Sequence, residues 1–96
     1  MIIKYVGHAC FKILDEETGY SIFFDPYKPL SVKGFGKIKD AASEVLCSHE
    51  HSDHNYRRGI TIEPKDESPF EVQWIDTFHD PKKGALRGKN RIYVVT

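Results

Sequence analysis

The chain alternates short runs of apolar residues with stretches rich in glycine, proline and charge, which is typical of a strand-rich domain. The runs that we predict to be β-strands are 2–6, 10–14, 20–24, 44–47, 60–62, 70–78 and 91–95. Pro26 ends the third run, because proline cannot donate a hydrogen bond to a sheet. Only residues 39–43 show short helical character, which is little for a complete α/β domain.

The large apolar residues of these runs form the candidate core. Val72, Trp74 and Phe78 are core candidates of the longest run, and Trp74 and the phenylalanines are expected to be buried. Thr96 follows directly on an apolar run, whereas a domain usually finishes with a polar tail or a docked helix. We therefore expect residues 1–96 to form a single domain that is cut within a sheet.

Composition and charge indicate an ordinary globular protein. Apolar residues make up 40% and charged residues 29%, which argues against a disordered chain. The 14 basic and 14 acidic residues cancel, so no overall field attracts nucleic acid or an anionic membrane. No apolar run approaches the ~20 residues of a membrane span. Two cysteines are too few for a disulfide framework and the N-terminus lacks a signal-peptide pattern, so we expect a cytoplasmic, reduced protein.

Three of the five histidines lie close together, in the run Cys47-Ser-His-Glu-His-Ser-Asp-His54. Imidazole nitrogen and carboxylate oxygen both suit zinc and related ions. In an extended segment, His49, His51 and Asp53 would share a face while His54 would point elsewhere. Such a set can serve two neighbouring metals, which hydrolytic sites hold about 3.5–4 Å apart. The alternative is a polar loop that collects histidines by chance, and the ordered spacing argues against it.

A fourth histidine of interest, His79, ends the 70–78 run directly before Asp80-Pro81. It would supply the third nitrogen of a three-histidine zinc site that leaves one position open for water. From the local sequence alone, an exposed strand-end histidine is an equal alternative. Cys10 and Cys47 are expected to be buried strand cysteines and not ligands or nucleophiles.

These motifs resemble a known family. His49-x-His51-x-Asp53-His54 after a short apolar strand resembles the signature of the metallo-β-lactamase superfamily. Further motifs narrow the resemblance to metal-dependent hydrolases related to L-ascorbate-6-phosphate lactonase, and the resemblance covers essentially the whole chain. These motifs are Gly7-His8-Ala9-Cys10-Phe11, Phe24-Asp25-Pro26, His79-Asp80 and the Gly-x-x-Arg-Gly-x-Asn run from Gly84 to Asn90.

The fold of that family is an αββα sandwich of two similar halves with a two-metal site. The resemblance implies an α/β fold class and identifies this chain as the N-terminal half of such a sandwich, incomplete as a single chain. It also implies that His49, His51 and His79 hold the first metal and that Asp53 and His54 hold the second. The family's bridging aspartate and last histidine ligand have no counterpart in the sequence. The expected cofactor is Zn2+, one or two ions, with Mn2+ or iron as alternatives.

The resemblance also implies roles around the metals. Asp25 resembles the family's first-strand aspartate, which orients the metal-binding loop, and a turn-capping aspartate is the alternative. His8 resembles a histidine near the metals that contacts substrate or transfers a proton, and a packed turn histidine is the alternative. Arg87 and Asn90 match the family's run and would bind an anionic substrate group. A solvated basic loop at residues 82–89 explains the same charges.

The sequence thus predicts a metal-dependent hydrolase that activates water against an ester, lactone or phosphoester, with Asp53 and His8 as its catalytic residues. Its partner would be a small, anionic substrate, and neither nucleic acid nor a membrane. Two alternatives belong to other classes. One is a noncatalytic metal-binding fragment, or a half-domain that needs a partner such as a second copy that completes the sandwich. The other is a nuclease of the same fold, against which the zero net charge weighs.

Overall fold

The computed structural model describes residues 1–28, 34, 38–51, 54–65, 67–78 and 89–96, with only the main chain of Lys89. The strands are β1 (Ile2–Gly7), β2 (Cys10–Leu14), β3 (Ser21–Phe24), β4 (Asp40–Ala42), β5 (Glu44–Leu46), β6 (Ile60–Ile62), β7 (Val72–Phe78) and β8 (Lys89–Val95). Within these residues the helical structure is limited to a 3-10 turn at Arg57–Gly59, and no helix is long and apolar enough to cross a membrane. The strand-rich character is confirmed, and the α/β class stays a prediction.

The central sheet has four strands in the order β1-β2-β3-β5. The first three strands are antiparallel neighbours. The turn between β2 and β3 is closed by Asp15, whose carboxylate accepts hydrogen bonds from the main chain and the hydroxyl of Thr18. The chain then crosses over, and β5 pairs in parallel with β3, so that Phe24 lies beside Leu46.

Both faces of the central sheet are covered, because successive side chains of β3 point to opposite sides. Phe23 is fully buried and packs on one side with residues from β4 and β6, which form a parallel two-stranded sheet. Ile22 is fully buried on the other side, where the antiparallel hairpin of β7 and β8 contributes Val72 and Val95. Each core is small, and strands β2 and β3 contribute side chains to both.

Two expectations about local structure and burial are wrong. Residues 40–42 form strand β4 instead of helix, because they pair with β6 and Asp40 accepts a hydrogen bond from Lys12 at 3.0 Å. Trp74 and Phe78 are 54% and 46% exposed, since the hairpin packs on the central sheet through Val72 and Val95. The ring of Trp74 instead lies 5.0 Å from the guanidinium carbon of Arg91.

Candidate metal centre

The parallel pairing of β3 and β5 creates the site. Their carboxyl ends lie side by side, and the main-chain N–H of Asp25 donates to the carbonyl of Leu46 at 3.0 Å. The chain leaves β3 through Asp25 and leaves β5 through Cys47 and Ser48, so residues far apart in sequence emerge together. The histidine run therefore starts directly beside the end of β3.

Asp25 connects the two chain segments through three hydrogen bonds. Its Oδ1 accepts the main-chain N–H of Ser48 at 2.6 Å. Its Oδ2 accepts the hydroxyl of Ser48 at 2.6 Å and lies 3.0 Å from Nδ1 of His54. These partners lie 23 and 29 residues away in the sequence, so Asp25 does far more than cap its own turn. A carboxylate engaged by three donors is well placed to orient neighbouring side chains.

The three histidine rings of the motif come together. The ring centroids of His49 and His51 are 4.6 Å apart, and those of His49 and His54 are 4.1 Å apart. His49 is buried at 8% exposure, whereas His51 is exposed. The expectation that His54 points away from His49 is wrong, because the main-chain N–H of His54 donates to the carbonyl of His51 in a turn. This turn brings the ring of His54 back to His49.

His8 reaches the same cluster from the turn between β1 and β2. Its ring lies 5.1 Å from that of His54 in an edge-to-face arrangement. The backbone of His8 is in the left-handed region, with φ of 50°, and the hydroxyl of Tyr5 donates to its carbonyl at 2.9 Å. A left-handed conformation is costly outside glycine and is often found at functional sites. The structure thus places the ring of His8 beside that of His54, and the predicted role of His8 near the metals stays a prediction.

Polar contacts fix the outer side of the histidine run, which is also the histidine loop of the fold. Glu50 accepts hydrogen bonds from Asn55 at 2.8 Å and from Arg57 at 2.9 Å. The Arg57 hydrogen bond is the main cause that lowers the pKa of Glu50, so this carboxylate stays charged. Behind the loop, burial raises the pKa of the Cys47 thiol to about 11, which confirms a buried, protonated cysteine and argues against a ligand or nucleophile.

Strand β8 holds the loop from the other side. The main-chain N–H of Arg91 donates to the carbonyl of Ser48 at 2.6 Å, and the hydroxyl of Tyr93 donates to the carbonyl of Cys47 at 2.9 Å. Asn90 precedes Arg91 in this strand and pairs with Thr77 of β7. The half-buried Asn90 is therefore one residue from a main-chain contact with the histidine run.

The described residues include a set that fits a metal ion. Asp25, His49 and His54 each offer a ligand atom, and these atoms lie within 4.8 Å of one another. Imidazole nitrogens with a nearby carboxylate are the donors that zinc and related transition metals prefer. Asp53, His79 and Arg87 lie outside the described residues, so their predicted roles as ligands and substrate contact stay predictions.

The sequence reasoning missed Ser48 and Tyr93, which hold the histidine loop in place. Ser48 was visible only as the residue before His49, and serine is too common on protein surfaces to stand out by type. Tyr93 lies in a strand 46 residues from Cys47, its partner, and no local pattern connects the two. The position of Ser48 between a strand and the first histidine of the run was the one available signal.

Comparison with protein families matches residues 2–96 to the beta-lactamase superfamily domain. The match covers the strands of all three sheets and the whole histidine run. No curated protein and no solved structure matches the chain.

Proposed function

The chain belongs to the beta-lactamase superfamily, and from that premise we propose that it is a metal-dependent hydrolase acting on an ester, lactone or phosphoester. The observation that carries the proposal is the gathering of the His51 and His54 rings around the ring of His49, which lies beside the carboxylate-bonded Ser48. The rings of His51 and His54 lie 4.6 and 4.1 Å from the ring of the buried His49, an arrangement that a bound metal ion would stabilise.

The ligand set that we propose follows the family's motif. His49, His51 and His79 hold a first ion, and Asp53 and His54 hold a second. Zinc is the proposed cofactor, and Mn2+ and iron are alternatives that accept the same donors. A bound ion of this kind lowers the pKa of a water and polarises the substrate oxygen. Within the proposed site, Asp25 orients the histidine loop.

Other residues of the chain would handle protons and substrate charge. The ring of His8 lies 5.1 Å from that of His54, a proposed ligand. This position supports a role for His8 in accepting or donating a proton at the reacting group. Arg87 and Asn90 would bind an anionic group of the substrate, for which the position of Asn90 beside Arg91 and the histidine run is the structural support. We further propose lactonase-like substrates, a cytoplasmic location and no nucleic-acid partner, in line with the zero net charge.

Metal content per chain tests this proposal. Purified protein is analysed by elemental mass spectrometry, and its molecular mass is measured by light scattering. We expect one or two zinc-like ions per chain and, after loading, hydrolysis of members of a phosphoester and lactone panel. A His49→Ala, His51→Ala double variant is the control, and it should lose both metal and activity. Failure of the wild-type chain to bind metal after reconstitution would refute the proposal.

A second candidate is a half-domain that needs a partner, and exposed apolar surface favours it. Ile75 and Ile92 pair across the hairpin on the face opposite to Trp74 and are 62% and 51% exposed. An open cleft of about 400 Å3 also lies between β5 and the hairpin, lined by Leu46, Phe70 and Val72 among others. The same light-scattering experiment separates the candidates, since an active monomer would exclude the need for a partner.

A further inference from the structure

We propose that Ser48 is a positioning residue that fixes the proton of His49 on Nδ1 and thereby makes Nε2 the nitrogen that binds metal. The consequence for metal binding rests on the proposed function. The geometry that fixes the proton on Nδ1 does not depend on any ion. The supporting observation is a short chain of hydrogen bonds that runs from the carboxylate of Asp25 through the Ser48 hydroxyl to the ring of His49.

The single proton of the Ser48 hydroxyl decides the direction of this chain. The hydroxyl lies 2.6 Å from Oδ2 of Asp25, which is the distance of a hydrogen bond donated by a hydroxyl to a carboxylate oxygen. An ionised carboxylate accepts only, so the proton must point from Ser48 to Asp25. The hydroxyl oxygen of Ser48 also lies 2.9 Å from Nδ1 of His49. Because its proton is already donated to Asp25, this oxygen can only accept a hydrogen bond from His49. Nδ1 therefore carries the proton, and Nε2 of the neutral ring carries the lone pair.

The same carboxylate oxygen acts directly on His54. Nδ1 of His54 lies 3.0 Å from Oδ2 of Asp25, and because the carboxylate accepts only, this nitrogen is also the protonated one. Asp25 thus sets the tautomers of two histidines, one directly and one through Ser48. The arrangement is shielded from solvent, since the side chains of His54 and Asp25 are 16% and 13% exposed. Water competes weakly for such hydrogen bonds.

Without the Ser48 hydroxyl, the proton of His49 should therefore no longer be fixed on Nδ1. Ser48→Ala deletes the acceptor of the Nδ1 proton, while Ser48→Thr keeps a hydroxyl at the same position. Ser68→Ala is a matched control, because the Ser68 hydroxyl bonds to the main chain of Phe70, outside the histidine run. Partners that orient metal ligands typically contribute about 10–100-fold to metal affinity. We expect a loss of that size in Ser48→Ala and little change in the other two variants.

The decisive measurement is a long-range proton–nitrogen NMR correlation of the histidine rings in the metal-free protein, recorded well above the ordinary histidine pKa of about 6.5. In the wild-type chain the proton of His49 should be on Nδ1. In Ser48→Ala the signal should shift to the Nε2-protonated form or a mixture, and Ser48→Thr should keep the wild-type pattern. An Nε2-protonated His49 in the wild-type chain would overturn the inference without any variant, as would an unchanged tautomer in folded Ser48→Ala.

Zinc titration against a competing chelator is the second measurement, and it separates the two proposals. If wild-type protein binds zinc and Ser48→Ala binds it about 10–100-fold more weakly, both proposals stand. If wild-type protein binds no zinc while the tautomer result holds, the proposed function fails and the role of Ser48 in fixing the ring stands. Equal zinc affinity of wild type and Ser48→Ala would remove the positioning role.

Discussion

Replacing Asp25 by asparagine keeps the size of the side chain and removes one of its two accepting atoms. With the amide oxygen at the place of Oδ2, the amide NH2 faces the main-chain N–H of Ser48, which then loses its acceptor. With the amide reversed, the NH2 faces the Ser48 hydroxyl and Nδ1 of His54. His54 can then accept only after its proton moves to Nε2, the nitrogen needed for metal. Neither orientation preserves all three hydrogen bonds.

The size of the effect follows from these contacts. A partly buried donor left without an acceptor costs about 1–3 kcal/mol, and we expect the free energy of unfolding of Asp25→Asn to fall by that amount. Backbone strain adds little, because asparagine tolerates the left-handed conformation that Asp25 adopts with φ of 50°. Zinc affinity should fall about 10–100-fold, which corresponds to about 1.4–2.8 kcal/mol.

Urea denaturation of the metal-free protein and zinc competition measure the two quantities. Asp15→Asn is the matched control, since Asp15 also accepts two hydrogen bonds but lies exposed in the turn between β2 and β3. It should leave both the free energy of unfolding and the zinc affinity close to those of the wild type, because solvent can replace exposed hydrogen bonds. Wild-type stability together with wild-type zinc affinity in Asp25→Asn would refute the reasoning on the carboxylate.

Three further predictions concern the core and the hairpin. Phe23→Ala should lower the free energy of unfolding by about 3–5 kcal/mol, because Phe23 is fully buried in β3, and a urea midpoint close to wild type would contradict this. Burial raises the pKa of Cys10 from 9.0 to about 12, so the unfolded chain releases this proton first and stability should decline as pH rises through that window. Urea midpoints below and above pH 9 would show this decline, and Cys10→Ala should lessen it. The chain's single tryptophan, Trp74, is 54% exposed, so acrylamide should quench its fluorescence readily, and a quencher-resistant emission would disprove the exposure.

Local patterns were sufficient to predict most of the strands. Alternation of apolar residues and the turn at 15–19 have their causes within a few residues, so the sequence contains them. The strand at 40–42 was missed because its partner, Ile60–Ile62, lies far along the chain, and pairing overrides weak local preference. The exposure of Trp74 was missed because Trp74 shares the hairpin face of Val72, but packing on the central sheet is limited to Val72 and Val95 and leaves the tryptophan 54% exposed.

The candidate site was predictable to the extent that it is local. The histidine run is contiguous, and its spacing identified it directly. Asp25 required a family resemblance, because its hydrogen bonds reach residues 23 and 29 positions away. The contribution of Ser48 depends on which atom donates a single proton, which only the distances to Asp25 and His49 can decide.

The parallel pairing of β3 with β5 has a consequence for the order of folding. The hairpins of β1, β2 and β3 close short loops, whereas Phe24 must find Leu46 across a much longer one, at a greater cost in chain entropy. The contact between Asp25 and Ser48 forms only when this closure is complete. The histidine run therefore acquires its fixed ring orientations only after this closure, and not from its local sequence alone.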